Sequence, residues 1–481
     1  MKKDLRRLGT FPQEKMGMAD KILDQELKED RHKIVVLDDD PTGTQTVHGV
    51  SVYTDWSEES IARGFKGKEK VFYILTNSRS FSPERTIQVH RQIGERVEKA
   101  AREQGTEYLI LSRGDSTLRG HYPLETEILR EVLEQKGYTI DGEIICPYFG
   151  EGGRYTVDNI HYVKQGDWLI PCGETEFAQD KTFGYHFSDL TEYIEEKTRG
   201  KCKAGEVLTI SLKALRNLDV EGITHSLMGA ENFKKIIVNA VCDYDLKVFS
   251  AALYRAMKSG KRFLFRCAAS LVKILGGIKE KPLLDCSQLF CHGETDRGGI
   301  ILIGSHTRKT TEQLEQLKEI RGICFHEMNT DLVLVPGALE NEIRRLAAIC
   351  SSQIAAGTTV AVYTKRQILS LEGDTRETAL ARSVEISKGV QALAGLLEAA
   401  PSFVVAKGGI TSSDVATGGL RIQRAAVLGQ IAPGVPVWRT GEESRFPGIP
   451  YVIFPGNVGE KDTLKCVVKQ LLGLADGGKE M

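Results

Sequence analysis

The feature that most constrains this chain is a rhythm. Short runs rich in Val, Ile and Leu recur along it, each separated from the next by a stretch of helical periodicity. The runs in the first half are Lys33–Leu37, Val71–Leu75, Tyr108–Leu111, Glu143–Cys146 and Lys235–Asn239. Those in the second half are Ile300–Ile303, Leu332–Val335, Val360–Tyr363, Phe403–Ala406 and Tyr451–Phe454. They are continuously apolar rather than alternating, the pattern of strands covered on both faces. Between them lie helical patterns such as Pro83–Gln104, Tyr122–Gln135, Thr310–Arg321 and Thr378–Ala399. Strand–helix alternation of this kind predicts an α/β fold with mostly parallel sheets in three-layer α/β/α domains.

The length, 481 residues, allows two or three such domains. The best break is Leu284–Gly299, which is polar, contains glycine and lacks periodicity. The expected organisation is an N-terminal extension over 1–32, a first domain over 33–285 and a second over 298–475, with an active-site cleft between the domains. The extension is charged and has no apolar signal region, so it reads as helical or partly ordered.

Composition narrows the function classes. Lys+Arg is 64 against Asp+Glu 65, a net charge of -1, which argues against a generally basic nucleic-acid binder. No apolar run reaches the length of a membrane span. The ten cysteines are scattered with no CxxC pair, as expected of reduced thiols in the cytoplasm. Glycine is in excess, 48 of 481 residues, and is expected at turns and close backbone approaches.

The segment Leu37–Thr46, LDDDPTGTQT, follows an apolar strand directly. Asp38, Asp39 and Asp40 therefore sit at a strand's carboxyl end, where open α/β sheets place their ligand crevices. Three adjacent acids repel one another unless a cation or donors meet them, so Asp38 and Asp40 are candidate magnesium ligands. A second segment, Ser112–His121 (SRGDSTLRGH), also follows a strand. Asp115 is a candidate base or ligand, Arg119 offers a bidentate fork for a carboxylate or phosphate, and Ser116, Thr117 and His121 add hydrogen-bonding groups. Asn77 and Arg79 end the Val71–Leu75 run, and Arg154 lies in the loop GEGGRYT. Arginines for a carboxylate beside acids and Asn for hydroxyls suit a small polyhydroxy acid.

The second half carries three glycine loops, each after a run. They are Gly304-Ser305-His306-Thr307, Lys407-Gly408-Gly409-Ile410-Thr411 and Pro455-Gly456-Asn457. Glycines followed by Ser or Thr at a helix start expose backbone N–H groups suited to phosphates, although neither a P-loop nor a GxGxxG fingerprint is present. Phosphoryl transfer fits the two halves together: placed phosphates, Mg²⁺, and a carboxylate to take the acceptor proton.

Together these motifs resemble the four-carbon acid sugar kinase family over roughly residues 33–472. The family's Asp-Asp-x-Thr-Gly is matched by Asp39–Gly43, and its Asp-Ser-Thr-Leu-Arg-Gly by Asp115–Gly120. Its Gly-Ser strand end is matched by Gly304-Ser305, its Gly-Gly-Glu-Thr-type loop by Gly408–Thr411, and its late Gly-Asn turn by Gly456-Asn457. The resemblance implies ATP-dependent phosphorylation of the terminal hydroxyl of a four-carbon sugar acid of the threonate, erythronate or 3-oxo-tetronate type. It implies an N-terminal domain that binds the acid and a C-terminal domain that binds ATP. On this reading Asp39, Asp40 and Asp115 share the base and magnesium roles, with Mg²⁺ a cofactor. Asn77, Arg79, Ser116, Arg119, His121 and Arg154 bind the acid. Ser305, Lys407, Gly408, Gly409, Ile410, Thr411, Gly456 and Asn457 cradle ATP.

The sequence departs from the family in places. Ile410 stands where Glu is usual, Lys407 precedes the glycines, Asp38 adds a third acid, and His121 stands where Asn is common. The partners expected are a sugar acid and ATP, with no nucleic acid and no membrane, and a homo-oligomer is compatible with the sequence. Two alternatives compete. Asp38-x-Asp40-x-Thr42, with Thr76 ending the next run, has the shape of a haloacid-dehalogenase-type phosphohydrolase motif, but Arg119 stands where that motif needs a further acid. The other is a non-catalytic nucleotide or sugar-acid sensor, which would tolerate loss of acids that this chain retains.

Overall fold

The computed structural model describes residues 3–4, 13–290, 296–367, 369, 371, 373–456 and 458–474. They divide into two compact units. One comprises residues up to Thr46 and Asp55–Glu280; the other comprises Val47–Thr54 and the chain from Lys281.

The first unit is built on seven parallel strands. Their order is Leu208–Ile210, Lys234–Val238, Gly142–Cys146, Phe263–Cys267, Tyr108–Arg113, Lys33–Asp38 and Val71–Leu75. Every residue of Lys33–Asp38 and of Val71–Leu75 is buried, as continuous apolar runs require when both faces are covered. The helices form two packed groups. Glu58–Lys66, Pro83–Gln104 and Leu124–Gln135 make one, and Gln13–Glu29, Val220–Met228 and Asp243–Lys258 the other. The Pro83–Gln104 helix starts at a Ser82 cap, with Pro83 in the first turn, and stops at left-handed Gly105 (φ 58°). The N-terminal extension supplies the Gln13–Glu29 helix. It buries Ala19 and Leu23 and pairs Glu26 with Arg255 at 2.6 Å and Asp20 with Lys247 at 2.6 Å.

A small antiparallel sheet completes this unit, in the order Lys3–Asp4, Trp168–Pro171, Ile160–Gln165 and Arg154–Val157. It has no counterpart among the apolar runs, because its strands are short and half polar.

Topology decides where a ligand crevice opens. From Lys33–Asp38 the chain crosses to Val71–Leu75 on one side, then to Tyr108–Arg113 on the other. Strand order reverses at Lys33–Asp38, the position at which open α/β sheets place their ligands, and Asp38–Asp40 stand at its carboxyl end.

The second unit has five parallel strands ordered Pro450–Phe454, Val404–Lys407, Ile300–Ile303, Thr359–Thr364 and Ile323–Met328. Val435–Thr440, Arg424–Ala432 and Ser51–Tyr53 extend it by antiparallel pairing. Ser51–Tyr53 is a contribution from the N-terminal part of the chain: Ser51 faces Ala426 and Tyr53 faces Arg424. The reversal here falls at Ile300–Ile303, flanked by Thr359–Thr364 and Val404–Lys407.

One expected strand is corrected. Leu332–Val335 is not a strand; Thr330–Leu334 forms a 3-10 helix capped by Asn329, which accepts from the Asp331 N–H at 3.2 Å. Leu334 and Val335 are exposed, so the apolar run does not mark a core strand. The edge strand is Ile323–Met328, whose half-exposed residues hide it from an apolar-run search.

Candidate functional site

At the carboxyl end of Lys33–Asp38 the acids do not face one another unaided. Arg79 grips Asp39 with two bonds, Nε to Oδ2 at 3.1 Å and Nη2 to Oδ1 at 2.7 Å, and reaches Asp40 with Nη1 at 3.4 Å. Arg113 lies on the other side, its Nη1 at 3.2 Å from Asp38 and 3.5 Å from Asp39. The Asp115 N–H donates to Asp39 Oδ2 at 3.2 Å. Two guanidinium groups thus alternate with three carboxylates, and charge-assisted pairs of this kind keep adjacent acids tolerable.

The groups differ electrostatically. Burial opposes ionisation of Asp115, yet Arg79 and Arg119 outweigh it and hold that carboxyl below the usual range; Thr117 and the Arg119 Nε, at 2.7 Å, donate to it. Asp40 is likewise kept low against burial by Arg79 and by the Thr42 N–H at 2.8 Å. Asp38 goes the other way. Burial pushes it up to about 7, Arg113 opposes, and Asp39 and Asp40 add repulsion. It is 1% exposed and lies over Gly43, where a Cβ would fall 2.1 Å from its Oδ2.

The remaining expected residues of this unit fall around the same strand ends. Asn77 is left-handed (φ 54°) and begins the turn that carries Arg79. Arg119 and Arg154 lie over the Phe177 ring at 5.0 and 5.8 Å. His121 meets the Phe81 carbonyl at 3.0 Å and the edge of Phe183 at 4.9 Å. Ser116 presents its carbonyl to His161 at 2.7 Å. Arg113, Arg266, Phe177 and Asp180 were not foreseen. Arg266 donates to Glu125 at 3.5 Å and to the Arg119 carbonyl at 2.8 Å. A charged residue near the end of an otherwise apolar run, FLFRC, was its sequence signal.

The magnesium expectation does not fit here. Asp38 and Asp40 each face a guanidinium, and among the described residues no three His, Cys, Asp or Glu side chains converge to hold a metal. Asp38 is also no exposed nucleophile, and Thr76 spends its hydroxyl on the Asp38 carbonyl at 2.9 Å, so the phosphohydrolase pattern lacks its two working groups.

In the second unit three loops come together. The Gly456 carbonyl accepts from Thr307 Oγ1 at 3.0 Å and Thr310 Oγ1 at 3.1 Å, and Thr310 Oγ1 also lies 3.0 Å from Ser305 Oγ, whose hydroxyl can donate to it. A Cβ on Gly304 would sit 2.3 Å from Thr411 Oγ1, and Gly408 holds φ 125°, a conformation that L side chains rarely adopt. Thr307 caps the Arg308–Leu317 helix, so that helix start faces the loops. Lys407 is fully buried and donates to the carbonyls of Pro455 at 2.6 Å and Gly456 at 3.2 Å. Its ammonium braces the loop from behind. Gly409 opens the short Gly409–Asp414 helix, and Ile410 is 72% exposed there. Asn457 lies outside the described residues.

One unit thus concentrates paired acids and arginines at its strand ends, and the other gathers glycine and hydroxyl loops. Residues 34–275 match the family described as a sugar-binding N-terminal domain, and residues 300–464 match a nucleotide-binding C-terminal domain. Those two domains together make up the four-carbon acid sugar kinase architecture, and the chain belongs to that family. Its fold is similar to that of Haemophilus influenzae protein HI1011, assigned to DUF1537, with a TM-score of 0.61 at 18% identity over 91% of this chain and 100% of the other. A Salmonella typhimurium LT2 protein with the provisional designation of a tRNA synthase gives a TM-score of 0.63 at 16% identity over 91% and 98%. At such identities the likeness speaks for the fold. No curated protein matches the sequence.

Proposed function

We propose that this protein transfers the γ-phosphoryl group of ATP to the terminal hydroxyl of a four-carbon sugar acid of the threonate, erythronate or 3-oxo-tetronate type. The observation that carries the reading is the ladder Asp38–Arg113–Asp39–Arg79–Asp40 at the strand ends of the sugar-binding domain. An anionic polyol needs both signs of charge close together: guanidinium for its carboxylate, carboxylates for its hydroxyls. Residues 33–285 take the acid and residues 298–475 take ATP.

The roles follow from the electrostatics. Asp115 and Asp40, held ionised by arginine, accept hydrogen bonds from substrate hydroxyls and orient them. Arg119, Arg154 and the outer edge of Arg79 meet the carboxylate. A loose phosphoryl-transfer transition state asks more of positioning than of a strong base, so depressed carboxylates suit it. Ser305, Thr411 and the backbone of Gly408, Gly409 and Gly456 surround the phosphates. ATP would bring Mg²⁺ on its own phosphate oxygens, the usual habit of a cation that keeps several waters. The proposed setting is the cytoplasm; the nine described cysteines are all free, and no described helix is long and apolar enough to cross a membrane.

The test is to incubate the protein with ATP, Mg²⁺ and a panel of four-carbon acids, following ADP and product mass. Substrate-dependent ADP with a product heavier by one phosphoryl group is expected. ADP release indifferent to every acid in the panel would overturn the reading.

A further inference from the structure

Four successive carbonyls of the Asp115–Gly120 loop are each taken by a side chain from elsewhere in the same unit. The Ser116 carbonyl faces His161 Nε2 at 2.7 Å. Tyr185 Oη donates to the Thr117 carbonyl at 2.8 Å, and Tyr193 Oη to the Leu118 carbonyl at 2.9 Å. Arg266 Nη2 donates to the Arg119 carbonyl at 2.8 Å. All four donors are buried. A carbonyl only accepts, so His161 carries its proton on Nε2, and Thr156 completes it by donating to Nδ1 at 3.0 Å.

The loop needs such bracing. Leu118 is left-handed (φ 68°), a conformation unfavourable for a branched side chain, and Gly120 follows at φ 118°. Three of the four donors come from one arm: the small antiparallel sheet, which holds His161, the segment after it, which holds Tyr185, and the Leu190–Lys197 helix, which holds Tyr193. The same arm sets the side chains beyond the loop. Phe177 underlies Arg119, Asp180 approaches its Nη1 at 3.8 Å, and Phe183 meets His121 edge-on.

We infer that the arm of residues 154–197 is the positioning element of the acceptor site: Tyr185, Tyr193 and His161 fix the Asp115–Arg119 backbone, and Phe177 and Asp180 fix where the Arg119 guanidinium points. The inference rests on the proposed function for its substrate, and it assigns acid selectivity to an arm outside the strand-end motifs. These are positioning residues, because they act through Asp115 and Arg119.

Tyr185→Phe and Tyr193→Phe each remove one hydroxyl and keep the ring. Each is expected to raise KM for the sugar acid roughly tenfold, because a loop carbonyl loses its tyrosine donor and, at Thr117, keeps only the weaker Cys172 thiol at 3.7 Å, while KM for ATP stays within about twofold. Asp180→Asn keeps the Oδ1 that accepts from the Thr182 and Phe183 N–H groups and removes the charge facing Arg119, and it is expected to shift the preference among acids of the panel. Independently of any substrate, deuterium uptake across Asp115–Gly120 should rise in both tyrosine variants at unchanged uptake in the central strands. Equal losses in kcat with neither KM moved, or unchanged uptake across the loop, would overturn the inference. If the wild-type protein phosphorylates no acid of the panel, the proposed function fails, and the exchange measurement still decides the role of the arm.

Discussion

Lys407 donates its ammonium to the Pro455 carbonyl at 2.6 Å, tying the ends of two neighbouring strands beneath the glycine loops. The same Nζ stands 4.2 Å from the centre of the Phe454 ring. The carbonyl of Gly456, its second acceptor, also takes the hydroxyls of Thr307 and Thr310. The lysine therefore shapes the candidate phosphate loops from inside.

Burial, with Lys309 adding repulsion, pushes Lys407 down to about 7. An unfolded chain holds that proton up to about 10.4. Between pH 7 and that limit the unfolded state binds more protons, so this group makes the protein more stable as pH rises through the window. Melting curves should show that rise in the wild type and a flatter profile in Lys407→Met. Phosphates favour the charged lysine, so ADP affinity should weaken from pH 7 to pH 9 by calorimetry, with a smaller change in the variant.

Asp38 gives the opposite slope. Its carboxyl is pushed up to about 7, so from about pH 4 to 7 the folded state binds more protons than the unfolded one. The group costs stability progressively as pH rises through that window. Asp38→Asn should therefore gain melting temperature relative to wild type between pH 4 and pH 7, and a constant difference would contradict the burial argument.

Arg79 bridges Asp39 with two bonds and reaches Asp40 with a third. A lysine offers a point charge instead of a planar fork. Arg79→Lys is expected to keep the fold and lower kcat/KM about a hundredfold, the scale of a misplaced reacting group. Arg79→Met should in addition cost about 3 kcal/mol in urea unfolding, since Asp39 keeps its burial and loses its closest partner.

Gly304→Ala would press a methyl group to 2.3 Å from Thr411 Oγ1. Thr411 must then turn its hydroxyl away from this position, or one of the two loops must move. Nucleotide affinity should fall about tenfold or more, while binding of a sugar acid to the first unit stays unchanged. Titrating each ligand separately checks the split.

Much of the fold is legible without coordinates. Runs such as VFYIL and IILI are apolar at every position, and only a strand covered on both faces has use for that. The run Leu332–Val335 misled because apolarity alone cannot tell a buried strand from a surface turn; Asn329 capping and Pro336 close behind it decide for the turn. The edge strand Ile323–Met328 stayed hidden because a partly exposed strand carries mixed residues, and Arg424–Ala432 because buried and more exposed positions alternate along most of it. The Asp38–Asp40, Asp115 and glycine-loop positions were visible because strand-end polar motifs interrupt apolar runs.

The sequence by itself determined the layered α/β class, the strand-end location of the acids and the glycine loops, because periodicity and turn chemistry are local properties. The tertiary structure alone decided which acid meets which arginine. Residues 38 and 113 are 75 positions apart, and their 3.2 Å contact follows only from strands pairing side by side. It also decided that Lys407 turns to carbonyls, and that Tyr185 and Tyr193 brace a loop far earlier in the chain. Burial and partner geometry set those outcomes, and both arise only when distant segments pack.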